Sequence, residues 1–124
     1  MNLIVKASLV VALAGCAITT VCVARADAAD FSGRWNLRGS IGFLPANGFC
    51  SFRQSGKTLS GYCISLGSRA VAHGSVNGSH VVWHVRNPST RGAFYGTLVN
   101  PGVIRGQWTT SLAPGVGAFI ATRG

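Results

Sequence analysis

The segment Phe31-Ser-Gly-Arg-Trp-Asn-Leu37 places Phe, Gly, Trp and Leu on one face of an extended chain and Ser, Arg and Asn on the other. That period-two alternation belongs to a strand with one buried face. Its core phrase is a large apolar residue, then Gly two places on, then another apolar residue. The phrase recurs as Leu59-Ser-Gly-Tyr-Cys63, Phe94-Tyr-Gly-Thr-Leu98 and Ile104-Arg-Gly-Gln-Trp108. A chain written in one repeated strand phrase, with no capped helical stretch, is an all-β protein.

Strand and turn signals divide the chain into eight strands at roughly 31–38, 48–54, 58–65, 69–76, 79–86, 92–99, 103–110 and 115–123. Asn77-Gly78 marks a two-residue hairpin turn, and Asn100-Pro101-Gly102 and Pro114-Gly115 mark two more turns. Gly39 to Gly48, with Ile41, Phe43 and Leu44, reads as a longer connection that covers something. Short strands joined by tight turns pair in sequence. With no helix to cover one face, the sheet closes into an eight-stranded antiparallel up-and-down β-barrel.

Parity assigns the interior: Phe31, Trp35 and Leu37 from the first strand, then Phe52, Leu59, Cys63, Val81, Trp83, Val85, Phe94, Leu98, Ile104, Trp108 and Phe119, interleaved with Gly and Ala. Across an Asn77-Gly78 turn, Gly74 would face Val81 and Ala72 would face Trp83, small against large. The same parity turns Arg34, Arg38, Arg53, Arg86 and Arg105 outward.

Ahead of the barrel, a positive start at Met1 to Lys6, an apolar run from Ala7 to Val23, and Ala24-Arg-Ala26 and Ala26-Asp-Ala28 form a secretory signal. Residues 1–26 are thus expected to be a signal peptide, cleaved near 26–28, and 27–124 a single barrel domain that is secreted or periplasmic. A membrane anchor is the rival, and its apolar run is a little short for a span. Leu13-Ala-Gly-Cys16 also resembles a lipoprotein lipobox, which would make Cys16 a lipidated N-terminus, but a better cleavage site follows it.

Beyond the signal the acids are Asp27 and Asp30 alone, both before the first strand. Paired-carboxylate chemistry and a Ser-His-Asp triad are excluded, and oxygen-rich Ca²⁺ or Mg²⁺ sites with them. The chain reads as a non-enzyme with no cofactor. Cys50 and Cys63 flank the hairpin around Ser55-Gly56-Lys57 in a register that sets them opposite each other, with Phe52 opposite Gly61. A disulfide is expected, consistent with export.

Gly33-Arg34-Trp35 in the first strand and Arg123 in the last resemble the shared signature of calycin barrels, in which the Trp closes one end and the Arg lies across it. The compact spacing is most similar to the avidin-type biotin-binding proteins. Gly33, Trp35 and Arg123 then take structural roles. The resemblance implies a ligand site at Ser65, Trp83, Thr90, Phe94 and Trp108, all inward by parity. It also has gaps: Cys63 stands where the family has a ureido-binding Tyr, and no Asp occurs between Ala118 and Arg123. Asn36 and Ser40 echo polar residues of the family's first strand one place early, which puts Asn36 outside. The Trp that the family supplies from a neighbouring subunit has no counterpart. Each missing contact to a buried ureido group would cost about 1–3 kcal/mol, so tight biotin binding is not expected. The interior is either an aromatic-lined cavity for a small, flat, apolar ligand or a core filled by Trp83, Phe94 and Trp108.

His73, His80 and His84 share one hairpin, where His73 would be diagonal to the other two. Two histidines without a third ligand make a weak site, and no metal is assigned. The formal charge of +9 favours anionic surfaces such as lipopolysaccharide, acidic polysaccharide or nucleic acid. No aromatic rows are read between the outward arginines, so specific nucleic-acid recognition is not expected. Three functions follow in order: an exported barrel holding a small apolar or aromatic ligand, a surface interaction protein with a filled core, such as a calycin-type protease inhibitor, and last an enzyme. The oligomeric state stays open.

Overall fold

A computed structural model describes residues 29–124, so the signal segment and the choice at Cys16 lie outside the described residues. The strands are β1 (Gly33–Ile41), β2 (Leu44–Pro45), β3 (Gly48–Ser55), β4 (Thr58–Ser65), β5 (Ser68–Asn77), β6 (His80–Asn87), β7 (Thr90–Asn100), β8 (Val103–Thr110) and β9 (Ala113–Arg123). Neighbours pair antiparallel along the chain, and β9 returns to β1 from Trp35↔Arg123 to Ser40↔Ala118, which closes the barrel. It is an all-β, eight-walled, up-and-down barrel, because β2 and β3 are one wall. Pairs from Gly33↔Phe52 to Leu37↔Gly48 and on to Ile41↔Leu44 keep a single register along β1.

That continuity corrects the reading of Gly39 to Gly48 as a long connection. β1 runs on to Ile41, turns at Gly42-Phe43 with Gly42 at φ 58°, and comes back at once. A glycine at the first central position is enough for a two-residue hairpin. Two other turns also move. Asn77 stays in the ladder opposite His80, so the turn is Gly78-Ser79. Gly74 therefore faces Trp83 and Ala72 faces Val85, and parity survives because both partners shift together. His73 faces His84 directly rather than diagonally. Pro114-Gly115 lies in a β-bulge between Trp108↔Gly117 and Thr110↔Ala113, and the chain reverses at Ser111-Leu112. At β3–β4, Cys50 faces Cys63 and Phe52 faces Gly61 in the expected register, and the two cysteines form a disulfide inside the barrel.

The interior is filled from one end. Phe31 and Trp35 are fully buried, and the Trp35 indole N–H donates to the Phe31 carbonyl at 2.9 Å. Arg123 lies over them, its guanidinium 4.2 Å from the Trp35 ring centroid and donating to the carbonyls of Ser32 and Asp30. The middle layer is aromatic. Trp83 stacks on Phe94 at 4.9 Å, and Phe94 on Trp108 at 5.7 Å. Phe52 and Phe119 meet Trp83 edge-on. Gly74 lets β5 approach β6 closely at Trp83, since a Cβ there would come within 2.8 Å of the Trp83 Cβ and would clash with the Val82 carbonyl.

Outside, Arg34 covers the Phe49 ring at 3.8 Å and Arg69 covers Tyr62 at 3.9 Å, while Phe49 and Tyr62 meet edge-on. Aromatic residues do sit between outward arginines here, contrary to the sequence reading. Each of these two rings has one face covered by a guanidinium group.

Candidate functional site

The turns sort into two ends. Gly56-Lys57, Gly78-Ser79 and Pro101-Gly102 lie at the end sealed by Trp35 and Arg123, and Gly42-Phe43, Leu66-Gly67, Pro88-Ser89 and Ser111-Leu112 at the other. Beneath the second set lies an open cavity of about 200 Å³. It exists because the aromatic residues stop at the middle layer and two of the inward positions above it are very small. Above that layer β5 contributes Ala70 and β7 contributes Gly92, too small to meet across the barrel.

Phe94 and Trp108 form the floor, Leu37, Cys63, Ala70 and Val85 the wall, and Leu44, Leu66 and Leu112 the apolar part of the mouth. The polar lining is Ser65, Ser68, Asn87, Thr90, Arg91 and Thr110. Much of its hydrogen-bonding capacity is already engaged. The Ser65 hydroxyl donates to the Asn47 carbonyl at 2.8 Å, and the Asn87 amide donates to the Ser68 hydroxyl at 3.2 Å. Arg91 is exposed, and past Asp30 no carboxylate side chain exists to pair with it.

Of the five residues assigned to a ligand from sequence, Ser65, Thr90, Phe94 and Trp108 meet around this cavity. Trp83 lies one layer lower, fully buried under Phe94. Gly33, Trp35 and Arg123 stand together at the opposite end. Asn36 faces outward, beside Arg34. The sequence reading missed Leu66, Leu112 and Arg91. The first two were hidden because they are turn residues, which parity does not address, although their hydrophobicity at hairpin tips was a usable signal.

The indole nitrogens of Trp83 and Trp108 are buried without a hydrogen-bond partner. That of Trp108 lies against the wall at Gly117, where a Cβ would come within 2.8 Å of it. Among the described residues no three His, Cys, Asp or Glu side chains group as a metal site.

No protein family and no curated protein matches the chain. Solved structures do. A redesigned β-barrel superposes with a TM-score of 0.60 at 19% identity, over 75% of this chain and 90% of that one. A de novo designed fluorescence-activating β-barrel gives 0.58 at 15% identity, over 79% and 98%. A redesigned barrel bound to DFHBI, mFAP1, gives 0.54 at 20% identity, over 74% and 94%. At such identities the likeness is one of fold.

Proposed function

We propose that this is a small exported binding protein that takes a small apolar or aromatic ligand into the open end of its barrel. The observation that carries the reading is the cavity of about 200 Å³, floored by the stacked rings of Phe94 and Trp108, with its polar groups at the mouth. An apolar cavity of about 150 Å³ holds benzene, so this one suits one or two fused rings or a short alkyl chain. Two barrels of the same fold are bound to DFHBI, which supports a small-molecule ligand for this one. A binding role is preferred to catalysis because past Asp30 the chain has no acid to serve as base or orienter.

Kinship with the avidin-type calycins is part of the proposal and rests on Gly33, Trp35 and Arg123. Tight biotin binding is not part of it. Cys63 is held in a disulfide where the family has its Tyr, and the Ser65 hydroxyl is already spent on Asn47.

Intrinsic fluorescence with a panel of ring compounds including DFHBI and biotin tests the reading. A ligand in the cavity perturbs Trp108, so the response disappears in Trp108→Phe and persists in Trp35→Phe. A panel that leaves the emission unchanged, with no bound density on soaking, would reject the proposal.

A further inference from the structure

We infer that the open end of the barrel docks on an anionic lipid bilayer, inserting the tips of three hairpin turns. Phe43, Leu66 and Leu112 are among the most exposed large apolar residues, at 107%, 77% and 61%. Each sits in a two-residue turn, and all three turns are at the same end. The turns of the sealed end carry Lys57, Ser79 and Pro101 instead.

Leu66 makes the asymmetry more than compositional. It stands at φ 53° followed by Gly67 at φ 75°, a turn in which Asn is the favoured residue and a Leu side chain is strained. At 77% exposure the Leu66 side chain gains little from packing on the barrel to offset that strain. A surface that removes it from water accounts for it.

The charge selects the kind of surface. Arg91 lines the cavity mouth with Leu112 and faces Arg86 across the β6–β7 ladder, so two cations stand at the open end, while the Arg69 guanidinium lies lower on the outer wall, over Tyr62. Past Asp30 the chain has no carboxylate side chain to neutralise them. A second copy of this chain would bring like charge to like charge. Apolar tips with unneutralised cations near them are instead the combination that holds peripheral proteins to bilayers rich in acidic headgroups. The cavity mouth lies between the tips, so docking would face it toward the acyl region, whether or not a ligand is inside.

Sedimentation of the processed protein with vesicles tests this, comparing phosphatidylcholine alone with an equimolar phosphatidylglycerol–phosphatidylcholine mixture. Binding to the mixed vesicles is expected, weakened but not abolished by salt. Each of Phe43→Ser, Leu66→Asn and Leu112→Ser should lower the partition by about tenfold. In Phe43→Trp the new indole should shift to the blue and be quenched by brominated lipid. The thermal melt of every variant, measured alongside, shows that the fold is intact. Binding that salt removes entirely and the three substitutions leave untouched would mean simple ion exchange, and would overturn the proposal. So would a Phe43→Trp emission blind to vesicles, or an association between copies that the same substitutions abolish.

Discussion

At the scale of single residues, Leu66 is the place where local physics and the fold disagree. A left-handed conformation costs a side chain with a Cβ about 1–2 kcal/mol, and Asn carries much less of that cost. Leu66 is 77% exposed, so little packing is lost by replacing it. Leu66→Asn should therefore raise stability by about 1 kcal/mol, seen as a rise of about 4–8 °C in Tm for a domain of this size. A melt that falls would show that Leu66 packs on the barrel rim in solution. The opposite outcome of this one change on the fold and on vesicles, one gaining and the other losing, separates a functional residue from a structural one.

At the scale of elements, the hairpin β3–β4 was legible down to its register. Cys50, Phe52, Leu59 and Cys63 share a face, and a small Gly-Lys turn leaves one way to align them. The bridge closes a loop of 13 residues, so Cys50→Ala/Cys63→Ala should cost about 2–3 kcal/mol. Urea titration measures it, with reduction of the wild-type giving the same value. A loss below about 0.5 kcal/mol would mean that the unfolded chain itself keeps this hairpin, which leaves the disulfide little entropy to remove.

Elsewhere the strands were readable from alternation, and the turns less so. Alternation survives a shift of the turn by one residue, so Gly74 kept its inward face while its partner changed from Val81 to Trp83. The Asn77-Gly78 pair fits one turn type and Gly78-Ser79, with Gly78 at φ 63°, serves as another, so the local residues alone do not choose between them. The same holds at Pro114-Gly115, where a turn signal serves a bulge. The segment from Gly39 to Gly48 looked like a loop because Pro45 and the small residues around it dilute the strand pattern. Its pairing with β1 is nevertheless unbroken in register.

At the scale of the whole molecule, the sequence left open whether the barrel is filled or hollow, and the structure divides it. The aromatic layer of Trp83, Phe94 and Trp108 is the boundary, solid below and open above. Parity put all three inward but carries no information about height along the barrel axis. Height depends on the stagger between strands, which local sequence does not fix. Hence Trp83 looked equivalent to Trp108 although it lies in the filled half.

Two alanines of β5 test the division. Ala70 and Ala72 point inward two residues apart, but Ala70 lines the cavity and Ala72 is fully buried below it. Ala70→Phe should fill the cavity, abolish ligand uptake by more than about tenfold and leave stability unchanged or higher by about 1 kcal/mol. Ala72→Phe has no space to enter, and should lose about 1–3 kcal/mol or fail to fold, as overpacked cores do. Denaturant titration of the two variants, beside a DFHBI titration of each, reads both quantities. Equal penalties for the two substitutions would show that the upper half is as tightly packed as the lower, and would remove the cavity as the basis of function.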